Sequence, residues 1–431
     1  MRKLHVILLL ILAGCAPIQE QLQEQRPTPL TPLISPVEID LHLRALNDPN
    51  TAGRATATQG FLQAAQYVAD RLKETLVQPI ADPEYFYPYS VSINLPVRAD
   101  LVQYLTDSLQ MFQPGVDFLI DGRTALDSAR FHRVMLRPTL QTATPPVVML
   151  PATEADSSIL YRLRQNGVRA ALLVTDTLQP ALAPAPIDSL MLAQITPSAA
   201  ARLLQLPESL FELHLLTVRN QLVVLPGVAE LITAAAYFPH TDAYHVGGYI
   251  AGKHPEYARE LVIVTTDMDG LGNYPGWGMF HPDYPGTRAA ALLEVIRNTG
   301  SYSPYLQIPE RTILFLFLSG ARIGDQGLRA FLQALTWEKR QVRALIYVGP
   351  RPSTRRYLEA LEQHTSWSIE IVPEPPTSPL PPAWTPQQVL AQERTRAQIL
   401  ARKLHDHLLP WLITPHPFAP ASADTLPRPQ D

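Results

Sequence analysis

Residues 261–331 constrain the fold more than any other stretch: two short apolar runs flank a helical segment. The first run, Leu261-Val262-Ile263-Val264-Thr265-Thr266, is rich in β-branched residues and ends in Asp267-Met268-Asp269-Gly270. That pattern suits a strand buried on both faces, stopped by carboxylates and a glycine turn. Ala290, Leu293, Glu294 and Arg297 then fall at helical spacing, and Asn298 to Gly300 supplies a stop. The second run, residues 313–318, is six apolar residues between charge and glycine, short for a helix and right for a central strand. Strand, helix, strand in this order makes a βαβ unit. Ligand sites in open α/β sheets lie beyond the carboxyl ends of such strands, which directs attention to Asp267, Asp269 and the residues after Leu318.

These residues resemble the di-zinc aminopeptidase family that also contains glutamate carboxypeptidase, the transferrin receptor and glutaminyl cyclase. In that family the first strand ends in His-x-Asp, a Gly-Ala-x-Asp-Asn-Ala-Ser-Gly loop opens the helix, and the second strand ends in Gly-Glu-Glu-x-Gly-Leu-x-Gly-Ser. The resemblance implies an α/β fold: a mixed, mostly parallel central sheet with helices on both faces, interrupted by a smaller protease-associated-like domain. The helix carrying Ala64, Ala65, Val68 and Leu72, the Ala52-Gly53-Arg54-Ala55-Thr56 turn and the lead Ala81-Asp82-Pro83-Glu84-Tyr85-Phe86 all fit the family's entry. Arg54 reads as a structural turn residue. The closing helix is expected over residues 387–409.

The scaffold matches while the chemistry does not. The histidine of His-x-Asp falls at Asp267, and its aspartate is kept as Asp269. The bridging aspartate falls at Tyr284, one position from Asp283, and the Glu-Glu pair of general base and ligand falls at Ala321-Arg322. The aspartate of the next strand falls at Ile346 or Tyr347, and the final histidine ligand has no counterpart. A di-zinc hydrolase needs ligands for two ions and a glutamate to move a proton. A guanidinium about 4 Å from a dication would repel it by roughly 8 kcal/mol at an effective dielectric near 20. Structural zinc sites gain only about 10 to 16 kcal/mol with every ligand present. The expectation is therefore a degenerate site that takes no cofactor, with Arg322 paired to Asp267 or Asp269. The alternative is a working hydrolase holding zinc with Asp267, Asp269, His281 and Asp283.

Other candidates read as structural. His240, Asp242 and His245 precede a core strand and are expected on the surface or a loop. His405 and His407 lie two apart on a helix, pointing about 200° away from each other, and fit a solvated helix end better than a shared metal. Ser319 precedes Gly320 at a strand end but has no Gly-x-Ser-x-Gly elbow around it.

The chain has 431 residues, enough for more than one domain, and its net charge of -4 gives no footprint for nucleic acid. Arg2 and Lys3 precede an apolar run, Val6 to Leu12, too short to span a bilayer, followed by Ala13-Gly14-Cys15. Leu12-Ala13-Gly14-Cys15 resembles a bacterial lipobox, and Cys15 is the chain's only cysteine. The resulting plan is a lipoprotein signal peptide over residues 1–14 and a tether over 15–36. A peptidase-like domain in two parts (37–95 and 217–414) surrounds a protease-associated-like insert (96–216), and a disordered tail follows (415–431). Acylated Cys15 is expected to hold the chain in the bacterial envelope, at the outer membrane by analogy. The functional expectation is a peptidase-like lipoprotein, non-catalytic, that binds a peptide or an envelope protein; the alternative is an active metallo-aminopeptidase.

Overall fold

The computed structural model describes residues 32–75, 77–81, 83–139, 146–276, 286–302, 309–335, 341–376 and 386–413. Cys15, His281, Asp283 and Tyr284, with most of the tether and the tail, lie outside the described residues. The chain divides into residues 1–33 and a unit from Ile34 onward, and only the latter is described below.

The elements begin with α1 (Pro36–Leu46), α2 (Gln59–Lys73), β1 (Gln78–Pro79), β2 (Phe86–Tyr104), β3 (Leu109–Phe112), β4 (Phe118–Ile120) and β5 (Asp127–Leu136). A smaller α/β segment follows with β6 (Val147–Pro151), α3 (Ser157–Gln165), β7 (Ala170–Val174), β8 (Met191–Ile195), α4 (Pro197–Leu204) and α5 (Glu208–Thr217). The long β9 (Gln221–Ile250) returns to β10 (Leu261–Asp267), α6 (Gly286–Tyr302), β11 (Thr312–Leu318) and α7 (Gln326–Ala334). The chain closes with β12 (Val342–Val348), α8 (Pro352–His364), β13 (Ser368–Val372) and α9 (Pro386–Ile413).

All these strands join one mixed sheet whose main path runs β13-β12-β10-β11-β9-β5-β6-β7-β8-β4. β10 pairs in parallel with both β11 and β12, and β5 to β8 pair in parallel with one another. The long antiparallel ladder of β2 on β9 joins these two parallel regions.

Alternation along β10 and β11 explains the two apolar layers. Val262, Val264, Ile313, Phe315 and Phe317 pack with α2, α6 and α9, whereas Leu261, Ile263, Leu314 and Leu316 pack with α7 and α8. Successive strand residues point to opposite faces, so an unbroken apolar run needs a helix layer on each side. The expected mixed sheet covered on both faces is what forms. Among the described residues no helix is long and apolar enough to cross a membrane.

Residues 253–260 carry the chain past β11, which lies between β9 and β10. Two readings are corrected. His245 is not a surface or loop residue: it is fully buried on β9, stacked on Tyr89 at 4.3 Å between ring centres. Its Nδ1 accepts from the Ser319 amide (3.3 Å) and its Nε2 bonds the Gly327 carbonyl (3.1 Å), and burial pushes its pKa down to about 3. A neutral core histidine results. The helix bearing His405 is not a solvated end: it runs on to Ile413, His405 is buried, and His407 bonds Glu370 at 2.8 Å.

The turn before α2 sets the loop that carries Asp269. Ala52, Gly53 and Arg54 all adopt positive φ. Buried Arg54 bonds the Leu46 carbonyl and, at 3.2 Å, the Met268 carbonyl, while its own carbonyl accepts from Gly270 at 2.9 Å. A Cβ on Gly53 would lie 2.6 Å from the Gly272 carbonyl oxygen. Gly53→Ala combines that clash with a left-handed φ and is expected to lower unfolding free energy by about 2–3 kcal/mol in urea denaturation. A loss below the scatter of the measurement would show that the turn does not fix the loop.

Candidate functional site

Asp267 and Asp269 stand at the carboxyl end of β10, where the register pairs Asp267 with Leu318 of β11 and brings Val348 of β12 beside Thr266. Both are buried at 2% exposure or less. The two carboxylates have different partners, and those partners determine what the site can do.

Asp267 is neutralised within the protein. Its Oδ2 accepts from Arg288 Nη1 at 3.3 Å, and its Oδ1 accepts a short hydrogen bond from the Tyr347 hydroxyl. Arg288 projects from the first turn of α6 and also pairs with Glu374, which accepts from Arg396 at 2.9 Å. Arg396 in turn pairs with Glu393 on α9 at 2.7 Å, so alternating charges run from the strand end into the helix layer. Gly349, at φ 63°, lets β12 pass this pair: a Cβ there would meet Glu374 Oε1 at 2.7 Å and Arg288 Nε at 2.8 Å. Burial pushes the Arg288 pKa down while the Asp267 charge opposes it. Burial likewise raises Tyr347 well above the usual phenol range, so the ring stays neutral and donates.

Asp269 has polar donors and no ion pair among the described residues. Its Oδ2 accepts from Thr56 Oγ1 at 2.9 Å and from the Arg322 amide at 3.1 Å, while its Oδ1 is buried without a partner. Thr56 Oγ1 also accepts from the Gly320 amide at 2.9 Å. Burial and the charge of Asp267 raise the Asp269 pKa to about 6, opposed by the Arg322 amide and by the Arg351 and Arg322 charges.

The expected pairing of Arg322 with these carboxylates is corrected. Arg322 reaches Asp269 through its backbone N–H, and the guanidinium on Asp267 comes from Arg288. Gly320, at φ 80°, turns the chain into a short helical turn, Ala321–Ile323, that presents amides to the acid. The half-buried Arg322 side chain acts on Asp269 through its charge. Ala321 is buried in the same turn.

Of the two candidates for the missing strand aspartate, Tyr347 reaches Asp267, while Ile346 packs in the opposite apolar layer. Nearby, Arg351 bonds Asp325 at 2.9 Å, and Thr354 donates to the same carboxylate at 2.7 Å. Ser319 is no nucleophile: its hydroxyl donates to the Tyr244 carbonyl at 2.8 Å and also bonds Tyr89, while His245 sees only the Ser319 amide.

Arg288, Glu374, Tyr347 and Thr56 were not singled out as a group from sequence. Arg288 carried one signal, a cation in the first turn of a helix, where the dipole disfavours it. Taken by themselves, the described residues do not make up a zinc site. Asp267 is already held by a cation and a phenol, Asp269 offers one free oxygen, and no histidine joins them among the described residues. Among those residues no group of three or more histidine, cysteine, aspartate or glutamate side chains could hold a metal.

The raised pKa of Asp269 has a thermodynamic signature. The folded chain keeps this proton up to about pH 6 while an unfolded aspartate releases it near 4, so the native state binds more protons in that window. Stability then falls as pH rises from about 4 to 6, by roughly 3 kcal/mol from this group. Asp269→Asn is expected to be more stable than the wild type at pH 8 and about equal to it at pH 4, measured by urea unfolding in chelator. A difference independent of pH would contradict the assignment.

No protein-family model and no curated protein sequence matches the chain. Solved structures do. The aminopeptidase from Aneurinibacillus sp. strain AM-1 superposes with a TM-score of 0.59 at 11% identity, over 86% of this chain and 94% of that one. The zinc aminopeptidase BSAP from Bacillus subtilis gives 0.52 at 11% identity, over 88% and 96%. A peptidase M28 precursor from Shewanella amazonensis SB2B gives 0.52 at 13% identity, over 90% and 96%. At such identity the likeness establishes the fold: this chain is built like the zinc aminopeptidases and peptidase M28 proteins over most of its length.

Proposed function

We propose that this chain is a peptidase-like protein that has kept the aminopeptidase scaffold and lost its metal chemistry, and that it acts by binding a peptide or another envelope protein. The observation that carries this reading is the largely buried Arg288 guanidinium on Asp267, with the Tyr347 hydroxyl on the other oxygen. A fixed guanidinium keeps its charge at any working pH. At about 4 Å it opposes a dication by roughly 8 kcal/mol, most of what a complete zinc site gains. With Asp267 held by Arg288 and Tyr347, one of the two carboxylates at the strand edge is taken from any metal, and this reading assigns the edge a binding role.

The lipobox-like Leu12-Ala13-Gly14-Cys15 supports attachment of this protein to the cell envelope through an acylated Cys15, at the outer membrane by analogy. Several acyl chains there would hold it far more firmly than a single one.

A second reading, a zinc hydrolase with a rearranged site, draws on one specific feature. Asp269 Oδ1 is buried with no partner, as an oxygen awaiting a cation would be. In that reading Asp267, Asp269, His281 and Asp283 share the ion. Protonation of Asp269, whose pKa is raised to about 6, accounts for the same oxygen at acid pH only.

Metal content of the purified full chain, taken with its activity on aminoacyl-anilides in added zinc, separates the two. The expected result is far less than one zinc per chain and turnover at the uncatalysed rate. Near-stoichiometric zinc with turnover that disappears in Asp269→Asn would establish the hydrolase instead.

A further inference from the structure

We propose that the cavity at the carboxyl ends of β5 and β6 binds a phosphate-type oxyanion. It lies in the smaller α/β segment, encloses about 550 Å³, and is independent of the Asp267 site. Its polar wall is Arg137, Thr139, Glu154, Arg162 and Arg219. β5 and β6 are adjacent and parallel, so the cavity occupies the edge where open α/β sheets take their ligands.

Charge is what points to an anion. Arg137 is fully used: it pairs with Glu154 through Nη2 (2.5 Å) and Nε (3.3 Å), and Nη1 donates to the Leu215 and Leu216 carbonyls (3.0 and 2.6 Å). The cavity's one acid is thereby neutralised. The side chains of Arg162 and Arg219 make no hydrogen bond, ion pair or ring contact among the described residues, yet both line the same space. Two exposed guanidinium groups that line one cavity and have no acid of their own make it a positively charged place for an anion. Their planar forks of N–H donors match the oxygens of phosphate.

The frame around these arginines is rigid. Arg137 and Asn220 both hold positive φ, 42° and 56°, and the Asn220 amide donates to the Arg137 carbonyl at 3.2 Å. The Thr139 amide donates to Asn220 Oδ1 at 2.7 Å and Asn220 Nδ2 donates back to Thr139 Oγ1 at 2.8 Å. Non-glycine residues persist in that conformation only where their surroundings over-determine it. Arg219, next to Asn220, is therefore presented from a pinned turn.

A soluble phosphate ester and a phospholipid headgroup share this chemistry. The test uses the full chain in phosphate-free buffer, titrated calorimetrically with inorganic phosphate and, separately, with a short-chain phosphatidylglycerol below its micellar concentration. Saturable binding of either is expected, weakened about tenfold or more by Arg162→Ala with Arg219→Ala and largely kept by Arg162→Lys with Arg219→Lys. Binding of phosphate alone assigns a soluble ligand, and binding of the lipid alone assigns a headgroup. Absence of both at millimolar concentration, or binding that the alanine pair leaves unchanged, would overturn the proposal.

Discussion

The contact between Arg288 and Asp267 is the interaction on which the rest of the site depends. A carboxylate buried at the end of a central strand must be compensated, and here a guanidinium from the neighbouring helix compensates it. That choice has consequences on both sides. Arg288, itself largely buried, also pairs with Glu374, and Glu374 in turn pairs with Arg396 on α9. Tyr347 completes the shell of Asp267 from β12. Strand β10, helices α6 and α9 and the end of β12 are thus tied through polar contacts.

Asp269 is handled by a different device. Its donors are an amide of the turn after β11 and a hydroxyl from the turn before α2, so its position is fixed by backbone rather than by countercharge. The left-handed Ala52-Gly53-Arg54 turn holds that arrangement from one side and Gly320 from the other. A carboxyl group held by neutral donors in a dry place keeps its proton to higher pH than usual, which separates its chemistry from that of Asp267 two residues away.

Much of the fold was legible because burial on both faces leaves a simple mark. Strands β10 and β11 and the strands β6, β7 and β8 appear in the sequence as short apolar runs between polar breaks, and they form within a residue or two of where those runs lie. The long β2 and β9 ladder was not legible in the same way. Pro88 and Pro96 on β2 and Pro226 and Pro239 on β9 interrupt the alternation that marks a strand, and prolines ordinarily argue against a paired one. At the site, reading residue types at strand ends picked out Asp267 and Asp269, which the structure buries at the end of β10. It assigned the compensating cation to Arg322, on the same sheet edge, because a one-dimensional reading ranks residues by strand position. Arg288 comes from the helix that crosses above, and only packing shows that its side chain reaches down. His245 was misplaced for a related reason: polar in type, it is made tolerable in the core by two backbone partners that lie more than 70 residues away.

The most direct test of this account is a stability cycle on the ion pair, by chemical denaturation of Arg288→Met, Asp267→Asn and the double variant in the presence of chelator. If the guanidinium is the permanent countercharge of a buried carboxylate, Arg288→Met alone should cost about 3–5 kcal/mol, because it leaves Asp267 uncompensated. Adding Asp267→Asn should recover more than half of that loss. An Arg288→Met protein as stable as the wild type, or a double variant no better than the single, would contradict the claim that Arg288 is the countercharge of Asp267.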